Sequence, residues 1–273
     1  MATTMDRPGS PPVHPRPKRP APWPVEFYRS AVGKKWVMAL TGIAIMGFVF
    51  FHAIGNLKVY MGAEDINHYG EFLRELLVPL LPRTVFLWLL RFGLIVAFAL
   101  HIHSAYGLTR MNQRARGSGY EQARDFQAAD AASRSMRLTG VVILLFLIWH
   151  LADLTWGTVN PDFVRGDVYR NLVASFERPA VSAIYIVANI ALGIHLFHGA
   201  WSMFQSLGLN NPRWNSWRRG FAAGFAGIVT VGNLSFPIAV LTGVISADDN
   251  PDCTVAGDVI ESCEQYAEGG DNR

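Results

Sequence analysis

The stretch Ile184–Gly208, IYIVANIALGIHLFHGAWSMFQSLG, decides how this chain is organised. It is long enough to cross a bilayer as a helix, because roughly 20 apolar residues suffice. It contains His195 and His198, and an imidazole at membrane depth is costly enough to mark a functional site. Their spacing of three puts both rings on one helical face, about a turn apart. The stretch therefore predicts a membrane helix that presents histidines to a partner group inside the membrane.

The composition of the whole chain is also that of a membrane protein. Of its 273 residues, 51% are hydrophobic and 16% are charged, whereas soluble domains carry roughly 25% charged residues. We therefore expect an all-α fold, a cofactor-binding bundle of five transmembrane helices. The predicted spans are about 36–57, 84–108, 138–156, 180–207 and 221–245. The last span is rich in glycine, which suits close helix packing.

The ends of the chain differ from this transmembrane domain, which we place at residues 25–246. Residues 1–24 form a basic, Pro-rich arm that we expect to be disordered. Residues 247–273 form an acidic tail. Sixteen Lys and Arg residues lie on the side of the N-terminus and seven on the other. Because positively charged connections stay inside, we expect a cytoplasmic N-terminus, an external C-terminus and a multi-pass protein of a prokaryotic cell (inner) membrane.

Six histidines fall on four of the five spans, and their depths form two layers. Depth follows from a rise of 1.5 Å per residue. His52 and His150 lie nearer the outer face, whereas His101 or His103 and His198 lie nearer the inner face. Each layer thus draws one ligand from each of two helices. A bis-histidine haem needs two neutral imidazoles on opposite sides of one iron, inside a helix bundle.

Four segments resemble the cytochrome b membrane anchor of succinate dehydrogenase and fumarate reductase, in its five-helix, single-polypeptide form. They are SAVGKKWVMALTG (Ser30–Gly42), LHIHSAYGLTRMNQRAR (Leu100–Arg116), LLFLIWHLADLTWG (Leu144–Gly157) and GIHLFHGAWSMFQSLG (Gly193–Gly208). The resemblance implies a subunit of respiratory complex II that is not active alone. It would dock a flavoprotein and an iron–sulfur subunit on the cytoplasmic side. Electrons from succinate would pass through it to a membrane quinone, menaquinone; a higher oligomer of the complex is left open.

The resemblance also implies site residues, and none of them is a catalytic residue in the sense of the flavin chemistry. One or two b-type haems are expected. By position, their ligands are His52 with His150 and His101 with His198, and His103 and His195 are the substitutes. Quinone reduction needs hydrogen-bond donors and a path to water. At the cytoplasmic end the candidates are Ser30, Lys34, Lys35, Trp36 and Arg110.

Other cofactors and functions remain open at this stage. Cys253 and Cys263 lie in the tail, and two Cys with two His are the ligands of a Rieske-type [2Fe–2S] centre. The chain could instead be the b-type anchor of another dehydrogenase or a hydrogenase. A proton-coupled transporter would use the histidines and Asp153 as a relay, but it favours broken helices or an internal repeat, and we find neither. No feature indicates a nucleic-acid partner.

Overall fold

The structure, a computed structural model, describes residues 21–115, 128–209, 211–247, 254–256 and 259–262. Within these ranges the chain is helical apart from turns and one short hairpin. Five helices are long and apolar enough to cross a membrane, which confirms the predicted all-α fold with five transmembrane helices. Residues 1–20 of the arm and most of the tail, with both cysteines, lie outside the described residues.

Eight α-helices and two strands follow one another in the described part. They are α1 (Trp23–Arg29), α2 (Ala31–Asn56), α3 (Ala63–Glu75), α4 (Val85–Arg114), α5 (Ala128–Leu154), α6 (Val168–Phe176), α7 (Pro179–Ser206), α8 (Asn215–Leu241), β1 (Thr254–Ala256) and β2 (Val259–Ser262). Short 3₁₀ turns, Leu57–Met61 and Pro212–Trp214, precede α3 and α8. The two strands pair antiparallel. Helix α8 begins six residues before the predicted span. Its first residues include the polar Asn215, Arg218 and Arg219, and a hydropathy pattern does not count such residues as part of an apolar span.

The transmembrane bundle is built around α2 and α7. Helix α2 packs against α4, α7 and α8, and α7 packs against α5 and α8. Large apolar side chains such as Leu89, Phe92 and Ile95 of α4 are exposed. Exposed apolar surface of this extent marks a membrane or partner interface. The chain is therefore a multi-pass membrane protein, and these side chains face lipid.

Two short helices cover one end of the bundle. Helices α3 and α6, here called the cap, pack against each other, and α6 also contacts α5, α7 and α8. The main apolar core lies beneath the cap and includes Ile66 of α3, Tyr169 of α6 and Tyr185 of α7. We call this the cap end, and the opposite end, where α1 packs against α2, the α1 end.

Close packing between α7 and α8 does not use the glycines that the sequence suggested. A Cβ atom added at Gly224, Gly227 or Gly232 of α8 would meet no atom within 4 Å. The close approach is instead at Gly193 of α7, where an added Cβ would lie 2.2 Å from Thr230 Oγ1. Small residues thus permit close helix contact here as expected, but the critical glycine lies on the other helix.

Candidate functional site

The structure brings His52 of α2 and His150 of α5 together near the cap end. Their ring centroids are 6.0 Å apart and their planes are nearly perpendicular, at 84°. Two imidazoles that bind one metal ion through nitrogens at roughly 2 Å have centroids roughly 6 Å apart. The Asn56 amide nitrogen lies 3.4 Å from His52 Nε2. The separation of the rings therefore suits two ligands of one metal.

A second histidine on α4, His101, lies toward the α1 end. Its Nδ1 is 3.1 Å from the Met38 carbonyl oxygen and 3.3 Å from Thr41 Oγ1. The Thr41 hydroxyl itself donates to the Val37 carbonyl at 2.6 Å, so its oxygen accepts from the ring. We assign the proton of His101 to Nδ1 on this basis. Its Nε2 then keeps a lone pair that can bind a metal.

His195 of α7 has the same surroundings as His101. Its Nδ1 lies 3.2 Å from Thr139 Oγ1 and is hydrogen-bonded to the Met136 backbone. The Thr139 hydroxyl donates to the Ser135 carbonyl at 2.7 Å. His195 also interacts electrostatically with His101. The two imidazoles therefore have matching tautomers and lie near each other.

These matching contacts reflect an internal repeat in α2 and α5. Residues 38–52, MALTGIAIMGFVFFH, and residues 136–150, MRLTGVVILLFLIWH, are identical at seven of fifteen positions. Each copy supplies a Met carbonyl and a Thr hydroxyl to a histidine on another helix. Each copy ends on a histidine with a Phe ring beside it, at 5.3 Å for Phe48–His52 and 5.7 Å for Phe146–His150.

The glycine of each copy lies against the histidine that the copy supports. An added Cβ would be 3.3 Å from His101 Cε1 at Gly42 and 3.6 Å from His195 Cε1 at Gly140. The sequence expectation of no internal repeat is wrong. The repeat is visible in the sequence as two Met-X-Leu-Thr-Gly segments, and in each a histidine lies ten residues after the glycine. The match is hard to detect because the residues between are apolar, as in any membrane span.

His198, the predicted partner of His101, has different surroundings. Its Nδ1 is buried and has no hydrogen-bond partner among the described residues. Its ring packs edge-on against Phe197, with centroids 5.1 Å apart. The contacts of its ring nitrogens therefore distinguish His198 from His195.

His103 belongs to a polar cluster at the α1 end. Its Nδ1 lies 2.5 Å from the Tyr28 hydroxyl, and the two rings are stacked. The same hydroxyl is 3.3 Å from Ser104 Oγ, and the Lys34 ammonium lies 4.2 Å from the centroid of the Tyr28 ring. We call Tyr28, Lys34, His103 and Ser104 the interfacial cluster. Tyr28 was not among the quinone candidates named from the sequence.

The five predicted quinone residues separate into two groups. Ser30 caps α2, accepting from the Gly33 amide at 2.9 Å and donating to the Phe27 carbonyl at 2.7 Å. Lys34 joins the interfacial cluster. The other three, Lys35, Trp36 and Arg110, are exposed, and Arg110 donates to the Tyr106 hydroxyl one turn away on the same helix.

A metal centre built from three or more protein ligands is not found in the described part of the chain. A bis-histidine haem does not need a third side chain. Cys253 and Cys263, the ligands of the Rieske-type alternative, lie outside the described residues. His68 of α3 is exposed on the surface of the cap.

Fold and site together define a multi-pass helical membrane protein with histidines paired between its helices. The family model described as succinate dehydrogenase/fumarate reductase transmembrane subunit matches residues 112–234. The succinate dehydrogenase cytochrome b558 subunit of Bacillus subtilis (strain 168) is 25% identical over 181 residues, which is 64% of this chain and 80% of that protein. No solved structure matches the chain significantly. Over part of its length the chain is therefore similar to transmembrane subunits of succinate dehydrogenase and fumarate reductase.

Proposed function

We propose that this chain is the cytochrome b anchor that carries electrons from an iron–sulfur subunit to a quinone. The observation that carries the proposal is the pairing of imidazoles at two levels of the bundle. His52 lies beside His150 near the cap end, and His101 interacts with His195 toward the α1 end. The Bacillus subtilis relative is a cytochrome b subunit by name, which supports b-type haem as the group held by each pair.

The histidines fit this role in their chemistry as well as in their positions. Haem b supplies one-electron transfer when it is bound. The chain's part is to hold each imidazole neutral, in one tautomer and in one orientation, which is the function of hydrogen bonds to the second ring nitrogen. His101 and His195 donate such bonds to paired Thr hydroxyl oxygens and Met carbonyls. The surrounding helices are apolar and keep water away from the rings.

We propose His195, the substitute named from the sequence, as the ligand opposite His101. The support is the shared pattern of Nδ1 contacts, which leaves Nε2 of both rings available. His198 has no hydrogen bond within the described residues that would fix its tautomer. His103 is engaged by Tyr28 instead. His198 would then line the centre rather than bind its iron.

The two proposed centres lie on one face of each repeat helix. Thr41 and His52 are eleven residues apart, as are Thr139 and His150. Eleven residues are close to three helical turns and span roughly 16 Å. One centre thus lies toward each face of the membrane. This arrangement provides a route for electrons along the membrane normal.

The orientation in this proposal has the N-terminus in the cytoplasm and the cap outside. The excess of Lys and Arg on the α1 side supports it. The flavoprotein and iron–sulfur subunits would then dock at the α1 end. The centre held by His101 and His195 would be the nearer one to the electron donor, and the tail would be external.

We place the quinone at the interfacial cluster. Reduction of a quinone to a quinol takes two electrons and two protons, so the site must offer hydrogen-bond donors close to water. Tyr28, His103 and Lys34 supply a hydroxyl, an imidazole and an ammonium within one cluster. His103 is two residues from His101 on α4, so the cluster adjoins the proposed inner centre. Lys35, Trp36 and Arg110 do not contribute to this site.

The similarity to transmembrane subunits of succinate dehydrogenase and fumarate reductase supports this role over that of an anchor of another dehydrogenase or a hydrogenase. The repeat does not support a transporter, because its two helices are unbroken, whereas transporter sites use discontinuous helices. The Rieske-type centre is the competing cofactor. It would need Cys253 and Cys263 as ligands together with two imidazoles.

A spectrum of the purified complex tests the proposal. Reduced-minus-oxidised absorption with haem and iron assays should show two b-type haems per chain, together with co-purifying flavoprotein and iron–sulfur subunits. His52→Ala should remove one haem and leave the other, and His101→Ala should do the reverse. Absence of haem, with iron in excess of the soluble clusters, would overturn the proposal in favour of the iron–sulfur alternative.

A further inference from the structure

A fully buried carboxylate lies one turn beyond His150 on α5. Asp153 has no exposed surface, and a buried charge of this kind must be paired. Its Oδ2 accepts from Ser175 Oγ at 2.7 Å and from the Tyr185 hydroxyl at 2.9 Å. Its Oδ1 accepts from Arg178 at 2.7 Å. Helices α5, α6 and α7 and the turn between the last two thus meet at this one side chain.

The network continues from Asp153 to the imidazole of His150. The Tyr185 hydroxyl lies 3.4 Å from His150 Nδ1. Because this hydroxyl donates its proton to Asp153, its oxygen accepts from the ring. The chain of contacts therefore runs from the ring nitrogen through one hydroxyl to a carboxylate. It assigns the ring proton to Nδ1 and leaves the lone pair on Nε2.

The network is absent from the other copy of the repeat. The position that corresponds to Asp153 is Gly55, three residues after His52. The Tyr69 ring of the cap takes the space there, 2.7 Å from where a Cβ would lie. The inner pair is supported by neutral Thr hydroxyls and Met carbonyls. Among the four paired histidines, His150 alone is linked in this way to a described carboxylate.

A role in joining the helices would not by itself explain why the charged Asp153 side chain is buried here. Replacing a buried ion pair by apolar side chains is often neutral or stabilising. Arg178 also donates to the Val159 and Ala174 carbonyls, so it would connect the helices without Asp153. The distinguishing feature is the direct continuation of the network to the histidine.

We propose that Asp153 and Tyr185 are positioning residues for the metal centre near the cap. Tyr185 fixes the orientation of His150, and Asp153 places a negative charge behind it that makes the imidazole a stronger electron donor. The reduction potential of that centre is thereby lowered. This inference rests on the proposed function, since it assumes that His52 and His150 hold a haem.

Redox titration of the haem absorption in the purified complex tests the inference. Tyr185→Phe removes only the hydroxyl and leaves Asp153 bonded to Ser175 and Arg178, so the protein should fold. We expect an upward shift of one of the two reduction steps and no shift of the other. Asp153→Asn should move the same step further, because it also removes the charge.

Tyr169→Phe is the matched control, because it deletes a buried hydroxyl under the cap that donates to the Ser246 carbonyl. Its titration should coincide with that of the wild type. If the Tyr185→Phe titration also coincides with that of the wild type, or if both reduction steps shift equally, the inference is overturned. The assignment of two haems to the chain is unaffected by either result. If the wild-type complex has no haem absorption, the proposed function fails, and the inference fails with it.

Discussion

Thr41 and Thr139 hold equivalent positions on two helices that run in the same direction, and each contacts a histidine on a neighbouring helix. Their hydroxyl oxygens lie 3.3 Å from His101 Nδ1 and 3.2 Å from His195 Nδ1. Both hydroxyls donate to the carbonyl four residues earlier in their own helix. This equivalence supports the proposal that His101 and His195 form the inner pair.

His195→Ala and His198→Ala should therefore have different effects. We expect His195→Ala to lose one of the two haems, because no other imidazole in the described part of the chain has the Thr and Met contacts that orient a ligand opposite His101. His198→Ala should keep both haems. Haem content per chain, measured by absorption of the purified complex, checks this. If His198→Ala loses a haem and His195→Ala keeps both, the pairing of His101 with His198 predicted from the sequence would be correct.

Thr139→Val should loosen the haem at the inner centre without removing it. The substitution deletes one of the two acceptors at His195 Nδ1 and leaves the Met136 backbone contact. Loss of such a supporting contact weakens a metal site by roughly tenfold to a hundredfold, and we expect the lower end. Haem transfer to an excess of apomyoglobin measures the change. Thr109→Val is the control, because among the described residues the Thr109 hydroxyl donates to the Ala105 carbonyl alone. Equal release from both variants would contradict the role of Thr139.

Adjacent lysines provide a matched test of the quinone site. Lys34→Ala should raise the KM for quinone by roughly twofold to fivefold, the effect of losing a cation–π contact of about 0.5–1 kcal/mol. Lys35→Ala should not change it, because Lys35 is exposed. Quinone titrations with succinate as donor measure both values. Succinate oxidation by an artificial acceptor should be unaffected, and a larger effect at Lys35 would exclude the interfacial cluster.

The cap depends on the buried side chain of Asn67. Its oxygen accepts from the Val168 and Tyr169 amides at 2.8 and 3.1 Å, and its nitrogen donates to Asp167 at 3.1 Å. Asn67→Ala leaves these groups without that partner and should cost about 2 kcal/mol or more. The thermal midpoint of the purified complex should fall accordingly. His68→Ala, the exposed neighbour, should leave it unchanged, and equal midpoints for all three proteins would contradict this account of the cap.

The orientation can be tested through the two cysteines of the chain, both in the tail. A membrane-impermeant maleimide, applied to intact cells after mild reduction, should label the protein, because we expect the tail to face outward. Cys253→Ser/Cys263→Ser is the control and should not be labelled. Labelling only after the cells are broken open would reverse the orientation.

The number of spans and the two layers of histidines could be predicted because they depend on apolar length and on the rise per residue. The pairing of His52 with His150 followed from their depth. The choice between His195 and His198 could not be predicted, since they differ by one turn and lie on the same helical face. That choice depends on hydrogen bonds from other helices, at Thr139 and Met136.

Ser30 and the cap show two further limits of sequence reasoning. A serine before an apolar helix serves as an N-cap or as a ligand group, and composition does not distinguish these roles; Ser30 caps α2. Helices α3 and α6 are short and mixed in polarity, so hydropathy does not detect them. Their burial depends on contacts such as that of Asn67 with Asp167, which join residues 100 positions apart in the chain.

The repeat in α2 and α5 also bears on how such a protein could arise. Each proposed centre takes one ligand from the first helix pair, α2 with α4, and one from the second, α5 with α7. Neither helix pair alone therefore supplies both ligands of a centre. A two-helix ancestor would have bound haem only as a homodimer. Fusion of two gene copies would then have freed each half to diverge, which is how one half could gain Asp153 where the other keeps Gly55.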